Sequence, residues 1–432
     1  MKRISYVIVA CFVILLMSAC AATAMPLAGT SQSTSQPPTQ AISPTSTIRP
    51  STETPSPIPP TATATSLPVN AIQHFPTGQE FDVTTIDMID ATTGWAIGGL
   101  GNVGDHVLLT ADGGSTWKDV TPPATEPLSG TQQTAVGFFQ DALTAWVTYG
   151  INGGNPVPTQ VVVWRTSNGG SSWQASQPLD LTGLSEIYVP SNLQFVAGQN
   201  GWLLAHVGVG MNHDYVVLYR SNDGGATWAR LIDPYTDGGI QSCYKSAMAF
   251  TDATHGWLTG DCHGVKGGVL LFNSTDGGST WKEVTLPDPA GAANLFEDMN
   301  NACGSYNPFF FGNDLGHLSV TCTNFSTQQA TNQYYIYTTQ DGGSTWTGTA
   351  YPGAGLYFFT ADTGWALANK IQLTTDGGVT WKPVSDVTWT PQMDFISEQI
   401  GWAVARSADA IALVKTDNSG ARWTELVPSV GP

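Results

Sequence analysis

The sequence predicts an all-β chain: a seven-bladed β-propeller of four-stranded antiparallel blades. Three observations carry this. An octapeptide of pattern S/T-x-D/N-x-G-x-T/S-W occurs seven times. An apolar strand running into Gly-Trp, or a close variant of it, precedes every copy. The composition agrees, with 47 Gly and 15 Trp but only 11% charged residues, a profile of tight turns and buried strands rather than of helix surface. Repeats of this size, each too small to bury its own apolar face, stack into rings.

The N-terminus is not part of that ring. Lys2 and Arg3 precede an apolar run from Tyr6 to Met17, and Met17-Ser18-Ala19-Cys20 closes it. A short apolar core before small residues reads as a signal peptide over residues 1–19. The cysteine resembles that of a bacterial lipobox, which implies lipidation at Cys20 and anchoring at the outer surface of a bacterial cell membrane. Residues 20–74 then form a tether. Ser, Thr and Pro dominate residues 30–68, where only Arg49 and Glu53 are charged, so the segment cannot bury a core. The propeller occupies residues 75–432. A formal charge of -18 argues against nucleic-acid binding, which needs clustered Lys and Arg.

The first repeat sets the pattern. Strand A is expected over 83–89, strand B over 95–99, strand C over 107–111 and strand D over 116–120. The octapeptide joins C to D. Its Asp or Asn accepts backbone N–H groups within the turn, and its glycines take positive φ without steric cost. The trailing Trp buries a large ring between neighbouring sheets. The seven turn residues are Asp112, Asn168, Asp223, Asp276, Asp341, Asp376 and Asn418. Their role is read as structural, not catalytic.

These motifs resemble those of the Asp-box (BNR) propeller superfamily, which includes sialidases, sortilin-type receptors, xyloglucan-cleaving glycosidases and photosystem II assembly propellers. Gly-Trp-Ala followed by Thr-x-Asp-Gly-Gly-x-Thr-Trp is most similar to the last group. The resemblance spans about residues 80–427 and implies fold more than function. A sialidase would need three arginines at one funnel. The propeller arginines are Arg165, Arg220, Arg230, Arg406 and Arg422, and only Arg406 is placed toward the funnel. The assembly-factor group implies a basic docking patch, which this acidic chain lacks.

Four cysteines hold equivalent places in two consecutive repeats. Disulfides Cys243–Cys262 and Cys303–Cys322 are expected, in keeping with export. A metal site and cross-pairing between blades are the competing readings.

Function is expected on the B–C and D–A loops, at the end opposite the octapeptide turns. The candidate ligand-binding residues are His213, Asp214, Asp233, Tyr235, Asp237, Asp261, His263, Glu297, Asp298 and Tyr306. His213-Asp214 with Asp261 and His263 is the constellation to inspect first, since two His and two Asp on adjacent blades can ligate a metal. The plainer reading is polar loop surface, so no metal and no cofactor are assigned. Tyr235 and Tyr306 offer aromatic contact to a sugar or peptide. Asp233, Asp237, Glu297 and Asp298 are the loop acids from which glycoside hydrolysis could draw a pair. The expected role is a monomeric, non-enzymatic scaffold for a protein or glycan ligand, with a glycoside hydrolase as the alternative. Residues 421–427 supply the last strand D, so no strand exchange is expected at ring closure, and residues 71–75 are a candidate edge strand.

Overall fold

The computed structural model describes residues 72–123, 133–151, 157–210, 213–234, 240, 243–261, 269–368, 370–387, 389–407 and 410–432. Cys20, Tyr235, Asp237, Cys262 and His263 lie outside them, as do the signal peptide and nearly all of the tether.

The chain is an all-β propeller of four-stranded antiparallel sheets. Twenty-eight strands occur among the described residues, and no helix. They fall into seven consecutive quartets, each ordered by sequence across its sheet. The fourth and fifth quartets are joined into one eight-stranded sheet by a single pairing of Asp261 with Gly304. The opening strands of the quartets are β1 (Asp82–Met88), β5 (Gln133–Phe139), β9 (Val189–Val196), β13 (Tyr244–Phe250), β17 (Asn301–Phe311), β21 (Gly355–Phe358) and β25 (Thr390–Phe395). Opening strands touch at five of the seven junctions, β5 with β9, β9 with β13, β13 with β17, β21 with β25 and β25 with β1, so the opening strands lie about the axis and the later strands outward. In the first quartet each strand sits within a residue or two of its expected bounds, the last shrinking to Lys118–Asp119.

Local turn chemistry explains why each quartet forms. In every octapeptide the leading Ser or Thr hydroxyl accepts the N–H of the second glycine-position residue and donates to the Asp or Asn. At the first turn Gly114 N–H donates to Thr110 Oγ1 over 3.0 Å, and Thr110 Oγ1 donates to Asp112 Oδ1 over 2.9 Å. The same carboxylate accepts Ser115 N–H, Thr116 N–H and the Thr116 hydroxyl. The turn is also tied to the neighbouring A–B turn, since Gly113 N–H donates to Thr92 O at 2.7 Å. Equivalent bonds run from Gly169 to Leu143, Gly224 to Gln199, Gly277 to Thr254, Gly342 to Asp314, Gly377 to Asp362 and Ser419 to Gln399. Both turn types therefore lie at one end of the ring.

The seams between quartets share one packing unit. The Trp of each Gly-Trp or Ala-Trp is buried against an aromatic at or near the end of the next opening strand, except Trp402, which clusters with Met88. The stacked pairs include Trp146 with Phe195 at 4.0 Å, Trp202 with Phe250 at 3.9 Å and Trp365 with Phe395 at 3.6 Å. His317 takes the Trp place against Phe358, at 4.1 Å. Burying one such indole removes roughly 150–250 Å² from water, on the order of 4–6 kcal/mol at about 25 cal/mol per Å². The ring N–H then crosses the seam to a backbone carbonyl: Trp95 to Asp141, Trp146 to Gly224, Trp202 to Gly277, Trp365 to Ser419 and Trp402 to Gly113.

At ring closure Thr424–Leu426 supplies the last strand of the seventh quartet, as expected, and the residues after it add a contact that was not. The last quartet packs on the first, with Met88 N–H donating to Asp394, and with Gln392 bonded to both backbone groups of Ile86. Beyond it, residues 428–431 cross to the first quartet. Ser429 bridges Glu80, and Val430 bridges Trp117 in parallel. Gly78 N–H donates to Val430 O at 2.8 Å, and Trp117 N–H to Ser429 O at 2.9 Å. The unpaired outer edge beside Trp117 recruits the chain end, a tertiary demand that no local pattern announces. Residues 72–76 form no edge strand. They are pinned by side chains instead: Phe75 N–H donates to Asp119 Oδ2 at 2.9 Å, and the Phe75 ring stacks on His106 at 3.8 Å.

Candidate functional site

At the end opposite the octapeptide turns, two long strand pairs reach out. β10 (Asn200–Gly210) pairs with β11 (His213–Ser221), and β17 pairs with β18 (Leu315–Asn324). β14 (Gly256–Asp261) lies between them, with Asp261 opposite Tyr244. Side chains of the third, fourth and fifth quartets meet about this point and form a floor.

The floor is built from paired groups. Asp214 is buried, and both its oxygens meet His206 Nδ1, at 2.8 and 3.0 Å. Its Oδ2 also accepts Lys245 N–H at 2.9 Å. Lys245 is 1% exposed, and its ammonium donates to Asp214 O at 3.1 Å and Cys243 O at 2.8 Å. Burial pulls that ammonium down to about 8, while the Asp214 carboxylate works in the other direction. His206 is buried, and its Nε2 has no hydrogen-bond partner. The Tyr244 ring lies flat on it, 5.0 Å between centroids and 5° between planes, and Tyr244 is itself 56% exposed. Across the floor the Tyr306 hydroxyl donates to Asp261 Oδ2 at 2.7 Å. Burial pushes that phenol well above its ordinary range, and the bond to Asp261 adds to the rise.

The structure therefore brings together Asp214, Asp261 and Tyr306 with three residues not singled out from sequence: His206, Tyr244 and Lys245. His213 does not join Asp214. It stacks on Tyr215 at 5.9 Å, at the tip of the hairpin. Of the constellation to inspect first, His263 lies outside the described residues, and among the described residues no group of three or more His, Cys, Asp or Glu is placed to hold an ion. Asp214 is turned instead to the histidine on the adjoining strand. A signal for this existed, because His206 is a lone ring nitrogen pair within the apolar run of 202–209.

The loop acids are dispersed. Asp233 lies 3.6 Å from Arg230. Asp298 accepts the backbone and side-chain N–H groups of Asn300, and Glu297 is exposed. The arginines are spent on the frame: Arg406 donates to Thr84 O, Arg230 to Thr182 O, and Arg165 and Arg220 lie over Trp146 and Trp202. Cys303 and Cys322 face each other across β17 and β18 and are bonded, with their Cα atoms 4.0 Å apart. Cys243 is also in a disulfide, and Cys262, its expected partner, lies outside the described residues.

A second constellation lies on the axis. One register position recurs in every opening strand, opposite the seam Trp or His: Asp87, Phe138, Gln194, Ala249, Phe309, Tyr357 and Asp394. Polar residues here catch the next strand's free inner edge. Gln194 Oε1 accepts Phe250 N–H, Tyr357 Oη accepts Phe395 N–H, and Asp394 accepts Met88 N–H. Burial raises the Asp394 carboxyl to about 6, against the Met88 N–H and the Tyr357 hydroxyl that hold it down. Burial pushes Asp87 up to about 7, and Asp394 adds to the rise. A cavity of about 360 Å³, lined by Phe309, Tyr357, Trp365 and Gln392 among others, opens beside this position.

No protein-family model matches the sequence, and neither does any curated protein. Among solved structures the chain is similar to the polysaccharide lyase Uly1, at 12% identity and a TM-score of 0.49, over 83% of this chain and 94% of that one. It is similar to an alpha-L-arabinanase from Penicillium chrysogenum at 12% identity and a TM-score of 0.44, over 70% and 96%. A GH74 enzyme from Niastella koreensis matches at 12% identity and a TM-score of 0.34, over 82% and 63%.

Proposed function

We propose that this chain is a lipid-anchored protein of the outer cell surface whose propeller, as a monomer, binds a glycan or protein ligand without turning it over. One observation supports this above others. The exposed Tyr244 ring lies flat on buried His206, above a floor whose ionisable groups are already bonded to one another. Asp214 is engaged by His206 and Lys245, and Asp261 by Tyr306. An aromatic platform on a polar floor offers a sugar ring or a peptide side chain both area and orientation. The lipobox-like Cys20 and the Ser/Thr/Pro tether support presentation away from a membrane.

The test is a glycan array with a panel of chromogenic glycosides, run on the wild type and on Tyr244→Ala. Binding weakened by about ten-fold or more in the variant, with no turnover by the wild type, is the expected result. A second reading, a carbohydrate-active enzyme, is favoured by one feature. Asp214 on Nδ1 with an unpartnered Nε2 is the arrangement of a general base. Turnover that disappears in His206→Gln would establish that reading in place of the first.

A further inference from the structure

At each seam between quartets one residue stands just before the octapeptide: a cation at three seams, and Leu109, Asn273, Thr338 and Leu373 at the other four. At the seam between the third and fourth quartets, Arg220 lies over the Trp202 ring at 5.6 Å. It donates to Ala253 O at 2.9 Å and Asp276 O at 3.5 Å, carbonyls of the next quartet. Arg165 lies over Trp146 at 5.4 Å, with its guanidinium beside Gly224 and the Gly198 carbonyl. Lys415 lies over Trp402 at 4.5 Å, with its ammonium beside Gly113 and the Ala91 carbonyl. Each is the residue just before the octapeptide. Each fills the same space: an indole face on one side, backbone carbonyls on the other.

At the seam between the fourth and fifth quartets that residue is Asn273, which reaches back to Gly256 O of its own quartet at 3.2 Å. The carbonyl equivalent to Ala253 O is Asn313 O. Around the corresponding point at Gly342 only the Asn313 backbone lies within 4 Å, and no cation. Among the described residues Trp257, unlike its five counterparts, makes no cross-seam hydrogen bond, and the Trp346 N–H beneath it is buried without a partner. A cleft of about 590 Å³ opens here, lined by Trp257 and Asn273, by the acids Asp252, Asp314 and Glu283, and by Lys282 on the rim.

We infer that this cleft is a binding site for a guanidinium group supplied in trans, the arginine side chain of a partner peptide. The same chain shows three times how such a space is filled. A planar, weakly hydrated cation satisfies an indole face and in-plane carbonyl acceptors together. Asp252, Glu283, Asp314 and Asp341 line the cleft beside Lys282 and His255, the last bonded to Asp252, and the chain's charge of -18 favours approach of a basic segment. The site lies at the octapeptide end and does not depend on the function proposed for the opposite end.

The probes are Nα-acetyl-arginine methylamide, its neutral norleucine analogue, and a Gly-Arg-Gly peptide, titrated calorimetrically into the full-length mature protein at low salt. The arginine compounds are expected to bind with a dissociation constant on the order of a millimolar, and the norleucine analogue at least about ten-fold more weakly. Asn273→Arg fills the cleft from within, as Arg220 does, and should abolish binding while keeping or raising the melting temperature. Asn273→Leu repeats the apolar choice of Leu109 and Leu373 at the same position and should also block, whereas Asn273→Ala should retain binding. Gly-Arg-Gly binding more tightly than the single residue would mark a peptide as the source. Absence of saturable binding by the wild type, or equal binding by Asn273→Arg and Asn273→Leu, would overturn the inference.

Discussion

Replacing Asp87 by Asn should stabilise the propeller in alkaline solution and do little in acid. In the folded chain burial and Asp394 raise the Asp87 carboxyl from an ordinary 3.8 to about 7. A raised acid binds its proton more tightly folded than unfolded. Below about pH 4 both states are protonated and the group contributes nothing. Between pH 4 and 7 the unfolded state ionises first, so stability falls as pH rises, and above pH 7 the whole cost is present. A rise from 3.8 to about 7 corresponds to about 4 kcal/mol. Asp87 and Asp394 share one repulsion and both residues are only half-buried, so about half of that, about 2 kcal/mol, is the working figure. Asparagine keeps the shape and cannot ionise. At about 2 cal/mol/K per residue over the propeller, about 2 kcal/mol moves the melting temperature by roughly 3 °C. Calorimetric melting of wild type and Asp87→Asn from pH 4 to 9 measures this. A gain at pH 8 that vanishes near pH 4 is expected. An equal shift at both ends, or a loss at pH 8, would refute the reasoning, since it would mean that the two carboxyls do not oppose each other across the closing seam.

Two further outcomes follow from the closure and the turns. Deleting residues 428–432 removes buried Val430 and the backbone bonds that join Ser429 and Val430 to Gln79 and Trp117, at a cost of about 2–5 kcal/mol, read as a drop in melting temperature and as amide exchange appearing first at Trp117. Asp112→Ala strips the first octapeptide turn of its acceptor and should cost about 1–3 kcal/mol in a denaturant midpoint. Asp112→Asn should cost less than half as much, since Asn168 and Asn418 hold that place elsewhere and keep the leading hydroxyl and backbone bonds.

The repeats were legible because their physics is local. The Asp112 carboxylate bonds groups three and four residues away, so the spacing of Asp, Gly, Thr and Trp is the turn, and four strands per repeat follow from it. The face assignment follows too, since A–B turns and octapeptides must share an end in an antiparallel quartet. The expected pairing of Cys303 with Cys322 was within reach for the same reason, because the two sit opposite each other in one hairpin.

Side chains that meet across seams were not legible. Asp394 reaches Met88 from 306 positions away, and nothing near either residue marks the bond. His206 was passed over for His213 because strand alternation and hairpin length, not sequence proximity, choose which histidine faces Asp214. The C-terminal residues cross to the first quartet only because closing a ring leaves an edge beside Trp117 that must be paired. Comparing the repeats position by position exposes Arg165, Arg220 and Lys415, and the uncharged Leu109, Asn273, Thr338 and Leu373 that hold the same place. Only the packed seam gives those residues meaning, because the carbonyls and indoles they fill the space between come from different quartets. The sequence by itself determined the turns, the strands and the end of the ring on which each loop lies. Tertiary structure decided which charges meet, since that depends on contacts between segments far apart in the chain.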